Sequence, residues 1–171
     1  MSLKIWRRFD DLRINQQLSF LKFFSAPKQL ETLRLKVFDN TNMWESLHDL
    51  TIKSLSLSVS MSDVDKNLQL NNISSLSWAL STLTQLETLN LKVRYLNVGN
   101  LEAIRGLNIK SLSLRYLKVQ KKNAIAPLSR LLLSLTHLES LSIKTFQGKS
   151  FAKLSDALHD LNIKNLSLSK A

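Results

Sequence analysis

The chain has 171 residues, 24 Lys+Arg against 13 Asp+Glu for a formal net charge of +11, 44% hydrophobic residues, no cysteine, three glycines and two prolines. That length and apolar share permit one domain, or an extended array, with a real core, and they exclude a disordered tail. Zero cysteine removes disulfide scaffolds, thiolate zinc sites and cysteine nucleophiles, and Gly99, Gly106 and Gly148 are too few for a phosphate-cradling loop.

The first residues, Met1-Ser-Leu-Lys-Ile-Trp-Arg-Arg, put the basic pair after the apolar residues, the reverse of a signal peptide. Ser2-Leu3-Lys4-Ile5 matches the tail of a strand motif that then recurs six times. Phe20, Leu21, Phe23 and Phe24 follow on a predicted helix. The first full frame, apolar-x-x-apolar-x-apolar, is Leu30-Glu-Thr-Leu33-Arg-Leu35, and the second is Ile52-Lys-Ser-Leu55-Ser-Leu57. Asp63-x-Asp65-x-Asn67 begins like a calcium loop, but Leu68 and Ser74 stand where that loop needs Gly and Glu, so a cap-rich turn is expected. Ile73, Leu76, Leu80 and Leu83 share one helical face, with Asn71 or Asn72 as cap.

The third frame is Leu86-Glu-Thr-Leu89-Asn-Leu91, and the fourth is Ile109-Lys-Ser-Leu112-Ser-Leu114. Lys118-Val-Gln-Lys121-Lys122, beside Arg115 and Tyr116, is the densest basic run and is expected in a solvated loop between a strand and its helix. Asn123 caps a helix with Leu128, Leu132 and Leu135 on one face. The fifth frame, Leu138-Glu-Ser-Leu141-Ser-Ile143, precedes a helix carrying Leu154, Leu158 and Leu161, and the sixth is Ile163-Lys-Asn-Leu166-Ser-Leu168. His48, Arg105 and His159 fall in one column at helix ends, followed by Asp49, Gly106 and Asp160, as helix C-termini prefer.

Frame starts at 30, 52, 86, 109, 138 and 163 give spacings of 22, 34, 23, 29 and 25, so short and long units alternate. With a period change from two to 3.6 inside each unit, every unit reads as a strand followed by a helix. The frame and the unit length resemble leucine-rich repeats of the helix-containing, ribonuclease-inhibitor-like type. The resemblance implies an α/β solenoid over residues 1–171, a right-handed horseshoe of about six units with parallel strands on the concave face and helices on the convex face. The chain departs from that family where it usually places Asn or Cys, three residues after each frame, with Phe38, Ser60, Arg94, Leu117, Phe146 and Ala171.

With the central leucines inward, the alternate strand residues form three outward columns. They contain no Asp or Glu, and the third reads Lys36, Ser58, Lys92, Arg115, Lys144 and Ser169. The residues entering the strands alternate Glu31, Lys53, Glu87, Lys110, Glu139 and Lys164, a cross-strand register device. His48, His137 and His159 occupy repeated structural positions, and no His-x-x-x-His pair or Gly-x-Ser-x-Gly elbow exists. The expectation is a non-enzymatic protein-binding module without cofactor or metal. Arg34, Lys36, Asn90, Lys92, Arg115 and Lys144 are its contacts to an acidic partner.

Binding of nucleic acid or another polyanion is the second reading, for which Tyr95 and Tyr116 are the available tyrosines. No segment reads as a membrane span. The last predicted strand ends the sequence without a capping helix, which points to a fragment of a longer array or to self-association at that edge. The absence of cysteine favours a cytoplasmic setting, with a secreted effector lacking a recognisable signal peptide as the alternative.

Overall fold

The computed structural model describes residues 2–5, 30–38, 44, 47–48, 50–60, 73–96, 98–119, 125–145, 158–159 and 161–170. Within them the chain is α/β, with strands β1 (Ser2–Ile5), β2 (Thr32–Phe38), β3 (Ser54–Ser60), β4 (Thr88–Leu96), β5 (Ser111–Val119), β6 (Ser140–Thr145) and β7 (Asn165–Lys170). Helices α1 (Ile73–Thr82), α2 (Val98–Glu102) and α3 (Ile125–Ser134) lie between strands. The seven strands form one sheet in sequence order, and all six pairings are parallel. The short N-terminal match is a true strand, since Ser2 pairs with Thr32 and Leu3 with Leu33.

The register follows the frame without a slip. Leu33, Leu55, Leu89, Leu112, Leu141 and Leu166 are successive partners, and Leu35, Leu57, Leu91, Leu114, Ile143 and Leu168 form the next row. A one-residue shift would turn every leucine outward, so burial of these rows locks the pairing. From β2 to β6 both rows are buried, in one core with Leu76 and Leu80 of α1, Leu101 of α2 and Leu128 and Leu132 of α3. Each fully buried leucine contributes about 1.5–3 kcal/mol of transfer free energy.

Backbone bonds repeat as faithfully as side chains. The carbonyl of each strand-entry residue accepts two N–H groups from the next unit: Glu31 from Lys53 and Ser54, Lys53 from Glu87 and Thr88, Glu87 from Lys110 and Ser111. Lys110 and Glu139 continue the series. Helices close by a shared device: the Thr82 and Ser134 hydroxyls donate to the carbonyls of Ala79 and Leu131, at 2.7 and 2.6 Å. Both hydroxyls directly precede a buried leucine, Leu83 or Leu135, and satisfy carbonyls that a helix end leaves without partners.

Gly106 has φ of 70°, the left-handed conformation expected of a residue closing a helical turn. Its N–H donates to Ser134 Oγ at 3.1 Å, tying the turn after α2 to the end of α3. The turn also holds Arg105, which is ion-paired to Glu102 at 3.4 Å.

Two strands run further than the frame alone indicates. β4 and β5 each have nine residues, because Val93 and Tyr116 continue the buried alternation and Tyr95 pairs with Lys118. Lys118 therefore belongs to β5 and not to a loop, while Lys121 and Lys122 lie outside the described residues. Also outside them are the aromatic segment at 20–24, the Asp63–Asn67 turn, the caps Asn71, Asn72 and Asn123, and Leu154.

Candidate functional site

The outward residues of the sheet stand in the columns that alternation requires. Thr32, Ser54, Thr88, Ser111, Ser140 and Asn165 are successive partners, as are Arg34, Ser56, Asn90, Ser113, Ser142 and Ser167. Most are half-buried by their neighbours in the sheet, so the face is a low, hydroxyl-lined surface. Longer basic side chains rise from it. Lys92, Arg115 and Lys144 are direct partners on β4, β5 and β6, about 4.8 Å apart from strand to strand.

The six sequence-derived contacts divide into two groups. Lys92, Arg115 and Lys144 form one row, with Asn90 one step towards the strand entry on β4. Lys92 and Arg115 are exposed and Lys144 is half-buried. Arg34 and Lys36 sit on β2, separated from β4 by Ser56 and Ser58 of β3, a gap of two strand spacings or about 9.6 Å. Arg34 is exposed, and Lys36 is half-buried with an interaction of its own. The length of β4 adds a residue that the frame does not reveal: Arg94 stands on the same face, two positions beyond Lys92, and it too is engaged.

The strand-entry ladder explains why the basic row dominates the field of this face. Lys53 pairs with Glu31 at 3.2 Å, Lys110 with Glu87 at 2.9 Å and Lys164 with Glu139 at 3.1 Å. Three lysines thus cancel three glutamates. About 16 Å further along the strands, Lys92, Arg115 and Lys144 have no acidic residue in their column. Like charges at such spacing repel by about 1 kcal/mol at 4 Å in water before screening, a cost that an anionic ligand removes.

The ladder itself titrates. The Glu87 carboxyl lies below the usual range because the Lys110 ammonium donates a hydrogen bond to it and attracts it, with a further contribution from Lys53. Lys110 is raised by the same glutamate, and Glu139 adds to the effect. Both side chains are exposed to solvent, so the pairs act on register more than on stability. Lys110→Met is expected to move the Glu87 carboxyl pKa up towards its ordinary value, as read by side-chain carbon NMR. An unchanged titration would show that the pair does not persist in solution.

The other candidates for chemistry are the three histidines. His48 stacks on Trp78 of α1, with ring centroids 4.5 Å apart and planes 17° from parallel, whereas His137 and His159 are exposed. Among the described residues no three His, Asp or Glu side chains converge on a metal position, and no helix is long and apolar enough to cross a membrane. Tyr116, considered above as a stacking surface for bases, is buried beneath the sheet and hydrogen-bonded to Thr145. The sequence gives no sign of that pair, because Thr145 lies beyond the fifth frame. No family model matches the chain, and no curated protein or solved structure matches it either.

Proposed function

We propose that this chain is a non-enzymatic leucine-rich-repeat solenoid, a right-handed horseshoe whose concave sheet face binds an acidic protein surface. The observation that carries the reading is the row Lys92–Arg115–Lys144, three cations in strict register in an acid-free column. A parallel sheet with a buried leucine face holds the strands that carry these side chains at fixed spacing, so little ordering entropy is lost on binding. The cations then steer an acidic partner and fix its orientation. Arg34, Lys36 and Asn90 extend the contact across the hydroxyl-lined floor. Seven sequential parallel strands and the repeated strand-entry bonds support the solenoid.

Burial of Tyr116 withdraws one of the two tyrosines that could stack on bases, which favours a protein partner over single-stranded nucleic acid. The test compares a fluorescent polyglutamate peptide with a single-stranded RNA of equal charge at low and high salt. Joint reversal of Lys92, Arg115 and Lys144 to Glu is expected to weaken polyglutamate binding at low salt by about tenfold, the cumulative effect of several screened charge contacts. Unchanged affinity defeats the assignment. Tighter RNA binding with a steep salt slope replaces it with the polyanion reading.

A further inference from the structure

The last described strand differs from the others in a way its sequence does not account for. Leu166 is 50% exposed and Leu168 36%, whereas their five counterparts in each row, on β2 to β6, are 0–4% exposed. Leu161 and Ile163 of the same unit are also only partly buried, whereas Leu138 and Ile109 at the matching frame position are buried. These residues repeat the pattern by which every earlier unit meets its successor. β7 pairs with β6 on one side, and among the described residues no strand pairs with its other edge. An exposed edge beside an apolar face is a template for another strand.

The charge ladder states what that strand must carry. It runs Glu31, Lys53, Glu87, Lys110, Glu139, Lys164, so the next position calls for an acid. The interior lysine Lys110 interacts with a glutamate on each side, Glu87 and Glu139. Lys164 has Glu139 behind it, and its other side opens onto the edge. The backbone agrees. At five successive junctions the strand-entry carbonyl takes two N–H groups from the next unit, and among the described residues no N–H reaches the equivalent carbonyl of Lys164.

We infer that the free edge of β7 docks a parallel strand led by an acidic residue, of the pattern Leu-Glu-Thr/Ser-Leu-x-Leu/Ile found in the odd units of this chain. Its leading acid pairs with Lys164, and its two inward leucines cover Leu166 and Leu168. A second copy fits less well. Its β1, Ser2–Ile5, carries no acidic residue to meet Lys164. A symmetric antiparallel β7–β7 pair centred on Ser167, the register that matches Leu166 with Leu168, sets Lys164 opposite Lys170. Like charges directly opposite are unfavourable.

The experiment titrates the full 171-residue chain into a fluorescent peptide copying residues 85–94, which carries Glu87, and into the same peptide with Glu87→Lys. Saturable binding with a Kd below about 1 mM is expected for the first peptide. Binding of the Lys peptide is expected to be about three- to fivefold weaker, the range of one exposed ion pair. Lys164→Glu reverses the order of the two peptides, and Leu166→Glu abolishes binding of both, with circular dichroism confirming that each variant is folded. Absence of saturable binding overturns the inference, as does an order that Lys164→Glu leaves unchanged. A chain dimer in sedimentation that excess peptide does not dissolve also overturns it, in favour of self-association.

Discussion

Leu112→Ala is expected to destabilise the chain by about 2–5 kcal/mol, while Leu166→Ala in the same row costs about 1 kcal/mol or less. Leu112 is 1% exposed, and it sits between Leu89 and Leu141 with the core residues of the helices against it. Truncation removes its transfer free energy and leaves a cavity that the fixed strand spacing prevents from collapsing. Leu166 is half-exposed, so alanine there opens no enclosed cavity. Urea unfolding at neutral pH measures both. β5 lies between β4 and β6 in the middle of the sheet, so the Leu112 variant is further expected to broaden the transition as the two halves uncouple. Equal losses at the two positions would mean that β7 is already covered in solution.

Much of this arrangement is legible in the residue order, and the reason is physical. Leucines at fixed offsets must all face one side of a parallel sheet, so six frames set every pairing from β2 to β7. The alternating Glu31-to-Lys164 ladder was readable for the same reason, since strand-entry residues in register must neighbour each other. What escapes the sequence depends on where strands stop and on contacts between units that break the repeat. Arg94 reaches the basic face only because β4 continues to Leu96, and Lys118 leaves its expected loop because β5 continues to Val119. The Gly106–Ser134 bond and the His48–Trp78 stack each join residues 28 or more positions apart by a contact between different columns of the repeat, which the strand periodicity does not announce. The basic face was readable as a set of columns, but not its division at Ser56 and Ser58 into a β2 pair and a β4–β6 row.

The other large effect lies at the exit end of the core, where a polar pair replaces the apolar residue that precedes it in the row. Tyr116 and Thr145 are direct partners on β5 and β6, following Val93 on β4, and they are 1% and 0% exposed. The hydrogen bond between the two hydroxyls helps make them tolerable there. Thr145→Val keeps the shape, removes one partner and strands the phenol, which is expected to cost about 1–3 kcal/mol. Adding Tyr116→Phe to that variant removes the stranded group, and the double variant is expected to recover most of the loss. Burial also pushes the Tyr116 phenol up, a rise that the Thr145 hydroxyl partly offsets. The unfolded phenol therefore ionises first. The stability contributed by the neutral folded form is complete below about pH 10, the ordinary phenol pKa, and is lost as pH rises through the folded value. Tyr116→Phe should abolish that part of the alkaline loss, read as urea midpoints at pH 7 and above pH 10. A double variant no more stable than Thr145→Val alone would show that the two hydroxyls do not satisfy each other.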